Sequence, residues 1–192
     1  IGERCGESLG GANCVAIGSL AGLSSQGANS VAIGDTAGSV SQGSSSVAVG
    51  ELAGNTTQGR NCVAVGDTAG GVLQADRATA VGNACGAANQ GIDCVAVGNQ
   101  AGNSRQGTSS VAIGVNAGFD RQGRNAIAIG NSAGLLLQND NTIVLNATGA
   151  AINGDIGVSR FLVAPMRGVA LGVGVGVCVY QPLTFEMVYS TT

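Results

Sequence analysis

The residues with the most chemistry to offer are six cysteines and eleven carboxylates, in a chain that has no histidine. Cys14, Cys62 and Cys94 are separated by multiples of 16 residues, and so are Cys5 and Cys85. On a coil of that length, Cys62 and Cys94 lie two turns apart, about 9.6 Å at the strand spacing. A disulfide needs Cα atoms within about 7 Å, so no bridge is expected along the stack. Their spacing fits no zinc pattern either. Small buried thiols are expected, as suits assembly in a reducing compartment. General base work has no histidine to use, and acids such as Asp35, Glu51 and Asp67 sit singly at turns. The string Gly172-Val173-Gly174-Val175-Gly176 lacks the lysine and helix of a phosphate loop. Asn55-Thr56-Thr57 and Asn146-Ala147-Thr148 are weak sequons in a chain rich in Asn, Ser and Thr. No Gly-x-Asp calcium turn repeats. The expectation is a protein that is not an enzyme, with no catalytic, cofactor or metal site.

The elements that carry these residues come from an unusual composition. Of 192 residues, 34 are glycine and only 10% are charged, against about 25% in ordinary domains. Two prolines and no Gly-X-Y triplet exclude collagen, and 44% apolar residues exclude a disordered chain. Three phenylalanines and two tyrosines cannot build a core of large interlocking side chains. The core must be thin, made of Val, Ile, Leu and Ala. A pI near 4.7 without a basic run argues against nucleic acid. No apolar run reaches the 18 or so residues of a membrane span, and the longest candidate, 169–179, is broken by glycine. The chain opens at Ile1, which suits a sequence with a piece upstream of it.

Residues 11–138 divide into eight consecutive units of 16 residues without insertion or deletion. The first reads GANCVAIGSLAGLSSQ and the last GRNAIAIGNSAGLLLQ; a ninth begins at Asn139 and loses the pattern after Asn146. Unbroken phase over that length predicts a solenoid. The fifth and seventh positions are Val or Ile almost throughout, with Thr79 the exception, and Ala stands between them. That alternation predicts a strand whose β-branched side chains point one way and whose alanines point the other.

The Val/Ile side is read as the inside of the coil. Ala16, Ala32, Ala48, Ala64, Ala80, Ala96, Ala112 and Ala128, with Cys, Ser or Ala at the fourth position, then form an outward face flattened for another chain. The expected assembly is a homotrimer with its axis beside Ala64, Ala80 and Ala96, although the seam itself implies only more than one chain. Gly18, Gly34, Gly50, Gly66, Gly82, Gly98, Gly114 and Gly130 end the strand, at positive φ in a tight turn. A second short strand is expected at the ninth to eleventh positions. Every unit ends in glutamine: Gln26, Gln42, Gln58, Gln74, Gln90, Gln106, Gln122 and Gln138. An amide ladder from coil to coil is one reading, and a turn residue capping local backbone is the other.

After Asn146 the period stops, and Phe161, Tyr180, Phe185, Tyr189, both prolines and both methionines appear. Strands are expected at 160–166, 169–180 and 184–189. The division is therefore a repeat domain over 1–146 and a segment over 147–192. An open solenoid end exposes an unpaired strand edge, so the second segment reads as a cap, or as a binding tip, or both.

The motif SVAIG, followed by AG and QG as in 110–123, resembles the head repeats of trimeric autotransporter adhesins, over residues 1 to about 146. There each chain winds a left-handed parallel β-roll and three chains pack around an axis. The unit here is two residues longer than the usual adhesin unit. In its QG form the repeat is more similar to repeat proteins of large DNA viruses of algae and protists and to some phage tail fibres. NDNTIVLNATGAAING, FLVAPMRG and VCVYQPLTFEMVYSTT resemble the closing, trimerising segment of those fibres. The resemblance implies an all-β trimeric β-roll with a C-terminal β cap, serving as a structural fibre or spike on a virion. Its partners would be other virion proteins and a host-surface receptor or glycan, not nucleic acid or a membrane interior. A bacterial surface adhesin head is the second reading, separated from the first by capsid genes or a membrane-anchor gene beside its own. An ice-binding solenoid is the third, tested by thermal hysteresis.

Overall fold

The computed structural model describes residues 1–7, 10–153 and 159–165, together with the backbone of the strands Val177–Gln181 and Glu186–Ser190. The described chain is an all-β solenoid of about nine turns with no helix. Each of the first seven turns contributes one strand to each of two parallel sheets, and the later parallel strands extend the first sheet alone. The first sheet has ten strands, from Val15–Ile17 through Ile127–Ile129 to Ile143–Asn146 and Phe161–Ala164. The second has seven, from Ser24–Gln26 to Asp120–Gln122. Register follows the repeat without slip: Val63, Ala64 and Val65 pair with Thr79, Ala80 and Val81. Backbone hydrogen bonds tie the coils together, such as Val63 N–H to Ala78 O at 3.0 Å and Gly66 N–H to Val49 O at 2.8 Å.

The second strand lies at the fourteenth to sixteenth positions, not at the ninth to eleventh. The ninth to eleventh positions form the turn after glycine, with the tenth in left-handed conformation from Leu20 (φ 56°) to Ser132 (φ 54°). The third and fifteenth positions also hold positive φ, as at Asn61 and Thr57. Asparagine is at ease in that conformation, and five of the nine third positions from Asn13 to Asn141 carry it. Such backbone signals override a propensity reading of three residues.

The faces of the first strand are inverted relative to the expectation. Ala32, Ala48, Ala64, Ala80, Ala96, Ala112 and Ala128 are wholly buried inside the coil, and Ala16, in the first coil, is half-buried. The Val and Ile side chains point outward and are half-buried or exposed. The alanines therefore do not make the outward face expected of a seam beside Ala64, Ala80 and Ala96. Coil thickness is the physical cause. Each glutamine is buried and reaches across the interior, as when Gln74 Nε2 donates to Val63 O at 3.0 Å. The gap between the sheets is thus one glutamine side chain deep, and only alanine fits opposite it.

The eighth-position glycines all have positive φ, from 108° at Gly130 to 130° at Gly82. A Cβ on Gly98 would lie 2.8 Å from Gly114 O in the next coil. The twelfth-position glycines have a second purpose: a Cβ on Gly70 would lie 2.7 Å from Gln74 Oε1. That glycine makes room for the glutamine.

Beyond Asn146 the first sheet gains one more strand, with Ile143 beside Phe161 and Val144 beside Leu162. The interior ladder grows from Ala128 to Val144 to Leu162, filling the coil as the stack ends. Val177–Gln181 and Glu186–Ser190 pair antiparallel. The expected strands at 160–166, 169–180 and 184–189 each overlap one of these three, while 166, 169–176 and 184–185 lie outside the described residues.

Candidate interaction surfaces

The interior is a bonding layer and not a reactive one. Gln58, Gln74 and Gln90 each donate to the Oε1 of the next glutamine at 3.0–3.1 Å. The same amides, and those of Gln26, Gln42, Gln106, Gln122 and Gln138, donate to the fifth-position carbonyl of their own coil. The glutamine is therefore both a ladder, over Gln58 to Gln106, and a strut between the sheets. Hydroxyls and thiols at the fourth position bond to the following coil: Ser30 Oγ to Gly43 O at 2.8 Å, Cys62 Sγ to Ala75 O at 3.0 Å and Cys94 Sγ to Gly107 O at 2.8 Å. Cys and Ser interchange there because each supplies one small donor. The sequence reading missed this because it placed the fourth position outside.

Cys5, Cys14, Cys62, Cys85 and Cys94 are free thiols, and Cys178 lies outside the residues whose side chains are described. Burial pushes the Cys62 thiol up, and pushes Cys85 up to about 12, which keeps both protonated and poor nucleophiles. Among the described residues no group of three or more His, Cys, Asp or Glu side chains is placed to hold a metal. Among the described residues no helix is long and apolar enough to cross a membrane.

Two outer surfaces stand apart. The first sheet shows two unbroken rows of β-branched side chains, Val31, Val47, Val63, Thr79, Val95, Val111 and Ile127 in one, and Ile33, Val49, Val65, Val81, Val97, Ile113 and Ile129 in the other. The first coil adds Val15 and Ile17, 41% and 40% exposed. Neither row contains a charge. The outward fifteenth position of the second sheet is mixed by contrast: Ser25, Ser41, Thr57, Leu73, Asn89, Arg105, Arg121 and Leu137. Near its end an open groove of about 600 Å³ lies between Arg105, Arg121, Gly123, Asn139, Asp140 and Ser159.

Comparison with known proteins adds no neighbour to this geometry. No protein-family model matches the chain. Neither curated proteins nor solved structures give a significant match.

Ion pairs lie at the N-terminal end (Arg4 with Glu7), at mid-stack and by the groove. Asp120 accepts from Arg105 Nη2 at 2.8 Å and Arg121 Nε at 3.1 Å, and the Arg105 bond, ahead of the Arg121 one, holds its carboxyl below the usual aspartate range. Arg77 and Asp93 form a forked pair at 2.6 and 2.9 Å that lowers Asp93 and raises Arg77. Both Arg77 and Asp93 are open to water, so the pair adds little to stability.

Proposed function

We propose that this chain is a structural fibre or spike component of a virion. It would be a stiff left-handed β-roll assembled as a homotrimer, with residues 147–192 as a cap that presents a tip for host attachment. The observation that carries the reading is the charge-free double row of Val and Ile on the first sheet. An alanine interior removes little apolar surface from water, at roughly 0.8 kcal/mol per buried CH₂. Most of the large aliphatic side chains stand outside it, in a strip as long as the stack, and monomers rarely leave such a strip open.

The rows recur at the strand spacing, about 4.8 Å. A surface of the same period matches them along their whole length, and a second copy of the chain supplies one. Cyclic closure covers the rows on every copy at once. The number three and the virion come from the resemblance of the SVAIG, AG and QG repeat to viral fibre proteins. The axis belongs beside Val65, Val81 and Val97, not beside the alanines.

Light scattering at micromolar concentration tests the assembly. The native chain should run as a trimer, and Val65→Lys with Val97→Lys should run as a monomer with unchanged circular dichroism, because both side chains point outward. A monomeric native chain would end the reading. The virion assignment is tested by mass spectrometry of purified particles, where absence of the protein counts against it.

A further inference from the structure

We infer that the groove beside Arg105 and Arg121 is a binding site for an anionic saccharide, one carrying a carboxylate or a sulfate ester. The two arginines occupy the fifteenth position of successive coils, which places their backbones about 4.8 Å apart. Two cations so close would repel. Asp120 offsets this by bonding to both, 2.8 Å to Arg105 and 3.1 Å to Arg121. The carboxylate is largely covered, with its side chain 15% exposed, while the arginine side chains are 56% and 53% exposed. Each guanidinium carries five N–H donors. One bond to Asp120 therefore anchors each arginine and leaves donors on the open side. Each guanidinium is planar, a shape suited to a carboxylate or sulfate oxygen edge.

The far wall has different chemistry. Asp140, Asn139 and Ser159 line it with a carboxylate, an amide and a hydroxyl. Asp140 Oδ1 accepts from Arg124 N–H at 2.7 Å, and Ser159 Oγ donates to Asp140 O at 3.2 Å, so this wall is also held in place. A carboxylate facing the groove disfavours a multiply charged phosphate and suits ligand hydroxyls, which donate to it. A single negative group at one end and several hydroxyls at the other is the chemistry of an acidic sugar. The groove is shallow and open to solvent, at about 600 Å³, so it has room for more than an inorganic ion.

The charge of the stack agrees. Residues 1–100 hold three arginines against seven acids, whereas 101–153 hold Arg105, Arg121 and Arg124 against Asp120 and Asp140. The first stretch is thus four charges negative and the second one positive, so an anion is repelled less at the groove end.

This site gives the attachment reading a ligand class, and its test is separate from that of assembly. Titration calorimetry on the full chain would use sialyllactose for the carboxylate arm, a heparin-derived hexasaccharide for the sulfate arm and lactose as the neutral control. At least one acidic saccharide should bind and lactose should not. Arg105→Gln with Arg121→Gln should weaken that binding tenfold or more, while Arg77→Gln on the same stack leaves it unchanged. Which arm binds identifies the acidic group. Failure of both arms, equal binding of lactose, or binding that survives the double variant overturns the inference. A trimer that binds no acidic saccharide defeats this site alone, and a monomer that binds one defeats the assembly reading alone.

Discussion

The two sheets of the coil face each other across one layer of side chains, yet their outer surfaces have opposite characters. Outside the first sheet, the fifth and seventh positions keep Val or Ile from Val15 to Ile129, broken by Thr79 alone. Outside the second, the fifteenth position runs from Ser25 through Leu73 to Arg121. The inner positions of both are equally regular, with Ala on one and Gln on the other. Regularity inside follows from coil thickness, which every turn shares. Within a single chain, strand propensity and the stacking of β-branched side chains from coil to coil favour regularity outside, but neither requires that every charge be absent there. A surface that must match something repeated every 4.8 Å stays uniform, and one that meets water is free to vary. On the proposed assembly, the uniform face is the one that meets another copy and the varied face is the one left for display, with the arginine groove on the varied side.

The strongest way to break this comparison is to exchange inner and outer roles on one strand. Ala80→Leu puts three extra heavy atoms into a layer already filled by Gln74 and Gln90, whose amides bond to each other at 3.0 Å. We expect a loss of about 3 kcal/mol in denaturant unfolding, the upper range for overpacking. Val81→Leu, one residue on and facing out, should cost well under 1 kcal/mol in the isolated chain. Equal effects at 80 and 81 would return the alanines to the outside.

The glutamine layer gives the next largest effect. Gln74→Leu removes the bonds to Val63 O and Gln90 Oε1, and takes from Gln58 Nε2 one of its two acceptors, Gln74 Oε1, leaving Val47 O. Buried groups left unpaired in this way cost about 1–3 kcal/mol. Leu73→Ser, adjacent but on the outer side at positive φ, should change the unfolding midpoint little. A Gln74 variant as stable as the native chain would show that the ladder is incidental.

Thiol reactivity gives the smallest effect and sharpens the picture of the interior. Burial sets the Cys85 value at about 12, above the ordinary thiol value of about 8.5. Folding therefore favours the protonated thiol. Its contribution is intact below the ordinary thiol range and is lost as pH rises toward 12. At pH 8, iodoacetamide should leave Cys85 and Cys62 unmodified in the native chain and modify both in denaturant. Ready labelling of native Cys85 would mean that the coil is open there. No disulfide should appear among Cys5, Cys14, Cys62, Cys85 and Cys94.

Much of the fold was legible from residue types alone. Phase over residues 11–138 predicts a parallel stack with Val63 beside Thr79, and Gly66 at positive φ follows from a glycine that ends every strand. The second strand was misplaced because Ser24–Gln26 and its counterparts have no β-branched pattern, and Ser25 has a φ of 59°. The groove was not legible, since Arg121 and Ser159 lie far apart in sequence and meet only where the period ends.

By itself, the sequence determined the coil length, the register, the all-β class and the division of each first strand into an Ala side and a Val/Ile side. Only the tertiary structure decided which side is in. Alternation puts two sets of side chains on opposite faces but does not say which face is enclosed, and the habit of placing large aliphatics inside gives the wrong answer here. The closing element decides it: Gln74 must reach Val63 O across the coil, Gly70 must leave its amide room, and a layer one glutamine deep accepts Ala80 and excludes Val81.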